Sequence, residues 1–325
     1  MLKGRIIMES KKRLRVLLDT DVGDDIDDAL AIVFALNSPE LEIVSVTTVF
    51  RNADKRAKIA SALLESCGNR TVPVYAGCDA PLVQKIFAHE HDRYDETGRY
   101  IPCQFDDNME RFSYDRNTHA VDQIIHMAHC YPGELDVVAI GPLTNIALAI
   151  RKDPEIIRLI KGLTLMGGSY AEPCTEWNIL CDPEAAEIVF TSGIPIRAIG
   201  LNVTTQCVLS REELGLFQRE ETSSSLLLNN MLERFLKHYE YDCSVLHDPL
   251  TVGTLIKPGF VRFEDKQVSI GRSNTDRAGQ TIAHSLENTE RSENIGRAAC
   301  AVSVDAERYI EFFLKRIFSN TLQEG

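Results

Sequence analysis

Six of the ten residues from Asp19 to Asp28 are aspartates, and they follow directly on the apolar run LRVLL. No other feature restricts the fold as strongly. An apolar run of this kind reads as a buried strand, and DDALAIVFALN (27–37) reads as a helix stopped by Pro39. The acids therefore fall at the turn between a strand's carboxyl end and a helix's first turn. Asp27 and Asp28 gain there from exposed N–H groups and the helix macrodipole. That accounts for one or two acids, not six. Mutual repulsion would raise their pKa values or open the loop unless a cation offsets it. An all-oxygen set of this kind suits Ca²⁺ or Mg²⁺ rather than zinc or copper. It is not an EF-hand, because counting from Asp19 the twelfth position is Leu30 and the glycine stands fifth.

Further along, strand-length apolar runs alternate with helix-period segments. LEIVSVTTV, TVPVY, LDVVAI, GLTLMGG and PIRAIGLNV read as strands. ADKRAKIASALLESCG, HAVDQIIHMAHC, PLTNIALAI (with Pro142 in its first turn), DPEAAEIVF, SLLLNNMLERFLKHY and DAERYIEFFLKRIF read as helices. This alternation indicates an α/β fold with an open, mostly parallel sheet covered by helices on both faces. Ligands bind such sheets at the carboxyl ends of the strands, where the acids lie. Residues 1–13 read as a leader or tag-like segment and 14–325 as one α/β domain. The polar stretch from Phe87 to Tyr114 lacks periodicity and is long enough for a lid, or for a plain surface excursion.

A net charge of −13 disfavours nucleic acid as a partner, and no apolar run is long enough to cross a bilayer. The nine cysteines are odd in number, irregularly spaced and without a C-x-x-C pair. They read as reduced core thiols of a cytoplasmic protein.

Asp19-Thr20-Asp21-Val22 matches the DxDx(T/V) run of haloacid-dehalogenase phosphotransferases, in which the first Asp is the nucleophile. Four further stretches point elsewhere: VTTVFRN ending at Asn52, AIGPLTNIALAI, MGGSYAEPCTEWNILCDPEAA, and HDPLTV beginning at His247. With DTDVGDDIDDALAI they make five signatures in order, and from about Leu14 to Phe318 the chain resembles the inosine–uridine-preferring nucleoside hydrolases. The phosphotransferase reading predicts none of the last four.

The resemblance implies a nucleoside hydrolase-like, Rossmann-type mixed sheet and a homodimer or homotetramer. It also implies Ca²⁺-dependent cleavage of the N-glycosidic bond of a ribonucleoside. On the matching positions, Asp21, Asp28 and Asp248 would ligate the metal with the backbone carbonyl of Ile140. Asp27 would be the general base, and Asn52, Glu176 and Asn178 would hold ribose hydroxyls. Met166 would line the pocket, and His247 would sit near the leaving base, where an imidazole titrating near neutral pH can protonate a purine.

Each position also has a plainer reading. Asn52 would cap the following helix, Glu176 and Asn178 would be loop residues, Met166 would be core, and Asp248 would be an N-cap. The chain departs from the family pattern in three places. Val22 replaces a proline and two residues are added before Asp27-Asp28-Ala29, so Asp24 or Asp25 could instead supply the base or a metal ligand, and Asp25 and Asp27 are exchangeable as base. The asparagine expected to hold the ribose 5′-hydroxyl is missing, its place falling on Tyr170, which opens the reading of a different ribosyl-type substrate. The usual His-Gly pair is absent, leaving His89 or His91 as candidates.

Overall fold

The computed structural model describes residues 12–88, 90–219, 221–286 and 294–318, so residues 1–11 of the leader lie outside it. The run LRVLLDT forms β1 (Leu14–Thr20), and the other strands of the same sheet are β2 (Leu41–Thr48), β3 (Val74–Ala76), β4 (Leu135–Ala139), β5 (Gly162–Met166), β6 (Ile196–Ile199), β7 (Val261–Ile270), β8 (Thr281–His284) and β9 (Gly296–Val304). The nine strands lie in the order β8-β7-β9-β6-β5-β4-β1-β2-β3. From β3 across to β9 every neighbouring pair is parallel. Only β7 runs against its neighbours β9 and β8. The sheet is thus the mixed, mostly parallel one expected.

The antiparallel rim has no clear hydropathy signal. β7 reads VRFEDKQVSI, with three consecutive charged residues on a strand that is only partly buried. Two boundaries also shift. The segment beginning PIRAI ends as a strand at Ile199, and Leu201–Thr204 turns into a short helix. There is no room for a side chain between them, since a Cβ on Gly200 would lie 2.6 Å from the Gly168 carbonyl. Pro142 stands ahead of its helix, which starts at Thr144.

The helices used below are α1 (Asp27–Leu36), α2 (Ala53–Ser66), α3 (Ala120–Cys130), α4 (Thr144–Lys152), α5 (Trp177–Cys181), α6 (Pro183–Phe190), α7 (Ser223–Tyr239), α8 (His247–Ile256) and α9 (Ala306–Ile317). One apolar layer joins β1 and β2 to α1, α2, α7, α8 and α9. A second joins β4, β5 and β6 to α3, α4 and α6. All nine cysteines are free, with Cys103, Cys181, Cys207 and Cys300 buried and Cys130 exposed. Among the described residues no helix is long and apolar enough to cross a membrane.

From β1 the chain moves to β2 and β3 on one side, while β4 lies on the other. The gap beyond the carboxyl ends of β1 and β4 is therefore the switch point of the sheet, where loops diverge and leave a crevice. The chain after β1 folds into α1 over this crevice, and α1 is buried along nearly its whole length. Its far end is pinned by Phe34, which meets Phe312 edge-on at 5.9 Å and Phe313 at 5.2 Å on α9. Phe34→Ala should cost about 3–5 kcal/mol of stability, through lost burial and a residual cavity. A fall in the urea midpoint at unchanged slope checks this, and a loss under about 1 kcal/mol would mean that α9 does not anchor α1.

Candidate functional site

The acids enclose one end of a cavity of about 720 Å³ at the switch point. Asp21, Asp27, Asp28 and Asp248 all line it and are all buried. Carboxylate oxygens of Asp27, Asp28 and Asp248 lie within 4.8 Å of one another, close enough to share one cation. Asp21 lines the same cavity outside that triple. Its carboxylate is held close to the start of the β4–α4 turn, where a Cβ on Gly141 would come 2.7 Å from Asp21 Oδ1.

Two helix starts converge here. Asp27 Oδ1 accepts from the Asp28 N–H at 3.1 Å, and Asp27 Oδ2 accepts from the Asp248 N–H at 3.2 Å. The Asp27 carboxylate therefore ties the first turn of α1 to the first turn of α8, and both macrodipoles present their positive ends to the acids. Thr20 Oγ1 donates to Asp28. These bonds do not neutralise the cluster. Burial, then the neighbouring carboxylates, push the pKa of Asp27, Asp28 and Asp248 well above the usual range, and burial first of all raises Asp21 to about 7. Among the described residues none of the four forms an ion pair with a Lys, Arg or His side chain. A hard divalent cation fits this donor set: buried, convergent, all oxygen and short of positive charge.

Both exchangeable acids line the cavity, and they differ in exposure. Asp27 is 3% exposed and belongs to the convergent triple. Asp25 is exposed at the rim, with its Oδ1 3.4 Å from the Asp27 N–H. Asp24 serves the framework. Its Oδ2 accepts from Arg56 at 2.7 Å, and its Oδ1 accepts from the Tyr100 hydroxyl at 2.5 Å and the Cys103 N–H at 3.3 Å. Gln104 Nε2 donates to the carbonyls of Asp24 and Asp25 at 3.0 and 2.6 Å. The Asp24-Asp25 step thus docks the 100–104 segment onto the acid turn.

Asp19 lies behind the site. It is fully buried, its Oδ1 takes bonds from Thr47 and Asn145 at 2.6 and 2.8 Å, and it does not line the cavity. A side chain so enclosed does not reach a substrate as a nucleophile, and the phosphotransferase reading ends there.

The opposite wall of the acid end is built by α5 and the β4 turn. Asn178 Nδ2 donates to the Ile140 carbonyl at 3.1 Å and the Met166 carbonyl at 3.3 Å, and lies 3.6 Å from the Met166 sulfur. Glu176 Oε2 accepts from the N–H groups of Gly168 and Ile179 at 2.9 and 3.0 Å, and Oε1 from that of Asn178 at 2.9 Å. Burial raises its pKa against those bonds. Glu176, Asn178, Met166 and Ile140 all line the cavity, so Glu176 and Asn178 are not surface loop residues, and Met166 is both core and wall. Tyr170 is buried elsewhere and its hydroxyl donates to the Gly167 carbonyl at 2.7 Å, while Thr175 lines the cavity beside Glu176.

Two expectations meet a different geometry. Asn52 is 1% exposed, its Oδ1 caps α2 through the Lys55 N–H at 3.2 Å, and its Nδ2 donates to the Tyr100 carbonyl at 2.7 Å. It does not line the cavity, because its amide is spent on the α2 start and the 100–104 segment. His247 does line the cavity, with Nδ1 2.7 Å from Thr204 Oγ1, but desolvation pushes its pKa down to about 4. It is therefore neutral at pH 7, not poised to titrate there.

His91 lines the cavity mouth, 6.1 Å ring to ring from His238 of α7. His89 lies outside the described residues. The remaining wall comprises side chains that sequence reasoning did not single out: Arg51, Asp92, Tyr100, Trp177, and the aromatic residues Phe235, Tyr239 and Tyr241 at the end of α7. Two signals pointed there. Trp177 is the chain's single tryptophan and stands between Glu176 and Asn178, and Arg51 precedes Asn52 in VTTVFRN.

The sequence model of the family described as "Inosine-uridine preferring nucleoside hydrolase" matches residues 16–311. A probable uridine nucleosidase 2 of Arabidopsis thaliana is 30% identical over 328 residues, covering 95% of this chain and 98% of its own length. The solved plant nucleoside hydrolase PpNRh1 superposes with a TM-score of 0.81 at 29% identity, over 94% of this chain and 99% of that one. A purine-preferring ribonucleoside hydrolase of Gardnerella vaginalis gives a TM-score of 0.77 at 30% identity, over 93% and 98%.

Arg56 of α2 is fully buried beneath the acid turn. It donates to the Phe50 carbonyl at 2.8 Å, to the carbonyls of Asp21 and Val22, and to Asp24. Removing it leaves the half-buried Asp24 carboxylate without its charged partner and several carbonyls without this donor. Arg56→Met should therefore lose about 3–5 kcal/mol of stability, measured by chemical denaturation. A variant within about 1 kcal/mol of the parent would show that the turn holds its shape without this cation.

Proposed function

The chain belongs to the inosine-uridine preferring nucleoside hydrolase family and is a nucleoside hydrolase, and from that premise we propose that it cleaves the C1′–N bond of a ribonucleoside with calcium held among its buried aspartates. The observation that carries the proposal is the convergence of Asp27, Asp28 and Asp248, brought from the two ends of the chain to one cavity beside Glu176 and Asn178. The same resemblance extends the proposal to a homo-oligomer, and the free, irregularly spaced cysteines extend it to the cytoplasm.

Asp21, Asp28 and Asp248 would hold the ion with the Ile140 carbonyl, whose oxygen retains a lone pair beside its bond from Asn178. When bound, the ion supplies the positive charge that makes water and ribose hydroxyls easier to deprotonate. Asp27 takes the proton of the attacking water. Its carboxylate is held in place for this by the N–H groups of Asp28 and Asp248.

Heterolysis of the C1′–N bond leaves positive charge on the ribose, as in glycoside cleavage. The acid end of the cavity is arranged before reaction to favour that charge. Glu176 and Asn178, fixed by backbone bonds, orient the hydroxyls, with Thr175 the hydroxyl available where an asparagine was expected. Met166 and Leu201 exclude water from this end. His247 is a wall residue beside the leaving base.

Reducing-sugar release from a panel of purine and pyrimidine nucleosides tests the proposal, and turnover of none of them would refute it. Chelation should abolish turnover and calcium should restore it, while recovery with no added divalent ion would remove the metal from the account. Asp248→Ala should cut kcat by about 10³-fold or more while keeping the circular dichroism of the parent, since it deletes one donor of the convergent triple. Asp27→Asn should lose about 10²–10⁴-fold, the range of a missing general base.

A further inference from the structure

Among the described residues, Arg51 is the only side chain of permanent positive charge that lines the cavity. It is presented by an unusual backbone. Phe50 and Arg51 are consecutive non-glycine residues with φ of 75° and 58°. Such pairs persist only where the surroundings impose them, and they gather at ligand sites. Here the Phe50 N–H donates to the Cys78 carbonyl and the Arg51 N–H to the Asp79 carbonyl, both at 2.6 Å.

The guanidinium lies 4.2 Å over the Tyr100 ring. Nη1 donates to Asp92 Oδ1 at 2.8 Å and Nη2 to the Phe87 carbonyl. The side chain is 4% exposed, yet Nε is buried with no acceptor. A guanidinium has five N–H donors, and a buried donor without a partner is costly, so the group carries more donors than its anchoring uses. Phe50 meets Trp177 edge-on at 6.4 Å, and Trp177 borders Glu176 and Asn178. Arg51 therefore stands in the aromatic part of the wall, with Tyr100 and Trp177, outside the acid cluster.

Resting on the reading of the cavity as a nucleoside site, we propose that Arg51 is the leaving-group residue, donating to a carbonyl or ring nitrogen of the base as the C1′–N bond breaks. In that step the bonding pair goes to the ring nitrogen and the water oxygen bonds to C1′. One water proton passes to Asp27, and the base takes its own proton from solvent on release. Negative charge spreads onto the base oxygens in the meantime. Carboxylates alone would oppose it, whereas the Arg51 guanidinium, paired with Asp92 yet carrying N–H groups beyond that pair, offers charged donors to the base. The substrates this favours are bases bearing a carbonyl acceptor.

The test compares Arg51→Met and Arg51→Lys with the parent on uridine, inosine and 4-nitrophenyl β-ribofuranoside. The last releases a phenolate that is stable without help. Arg51→Met should lose about 10–100-fold in kcat/KM on the two nucleosides, the worth of one or two charged hydrogen bonds. The ratio of nucleoside to aryl-riboside turnover should fall about tenfold or more, and Arg51→Lys should recover part of it. Equal losses on all three substrates would overturn the role of Arg51 alone. A parent enzyme that releases sugar from none of the three would overturn the functional reading beneath it. Should Arg51→Met not fold, Arg51→Gln, which keeps a donor for the Phe87 carbonyl, carries the same comparison.

Discussion

Carboxylates a few ångströms apart in a protein repel one another by on the order of 4 kcal/mol per pair, even with the screening typical near a protein surface. The turn from Asp19 to Asp28 holds six of them, and α8 adds Asp248. The surrounding structure offsets part of this repulsion. Asp19 is bonded to Thr47 and Asn145, Asp24 is paired with Arg56, and Asp27 accepts from the N–H groups of two helices. What stays unbalanced is the Asp21, Asp27, Asp28 and Asp248 group facing the cavity. Asp24 is satisfied by the fold, Asp19 keeps one buried oxygen without a partner among the described residues, and the four acids named last share one space.

This constraint explains why the first and last thirds of the chain must close on each other. Asp248 reaches the site only if α8 lies against α1, and the Asp27–Asp248 bond joins the two helix starts. Behind them, Phe34 on α1 packs against α9. The middle of the chain adds Ile140 and Met166 from the carboxyl ends of β4 and β5, tied together by Asn178. Charge repulsion at one turn, strand order at the switch point and apolar packing of α1 are therefore one requirement seen at three scales.

The features legible in the sequence were those set by local pattern. The buried strands, the long amphipathic helices and the acid turn all follow from residue order over short spans. The antiparallel rim was not legible, because β7 places Glu264, Asp265 and Lys266 mid-strand and loses its hydropathy signal. At the site, Glu176, Asn178, Met166 and His247 do face the cavity, as their motifs implied. Asn52 does not, because an amide that could meet a sugar also suits a helix start, and only the Tyr100 carbonyl settles which. The ionisation of His247 depends on burial that no motif encodes. Asp24 and Asp25 could not be told from the site acids by sequence. Their partners Arg56, Tyr100 and Gln104 lie 30 to 80 residues further on, too far for any local pattern to reveal.

The two ends of the cavity are held by different kinds of structure, and this has a chemical consequence. At the acid end the side chains stand at strand ends or helix starts, and Asp27, Glu176 and Asn178 are fixed there by backbone groups. At the other end the wall comes from the 90–100 loop, the last turn of α7 and the residues just after it, joined through Arg51, Asp92 and Tyr100. A pentose is the same in every ribonucleoside, whereas bases differ in size and in the placement of acceptors. Rigid support where the substrate is constant and loop-borne support where it varies let the base pocket be remodelled without disturbing the charges that break the bond. Arg51 stands where the two meet: its backbone is locked beside β3, and its guanidinium is clamped by the loop.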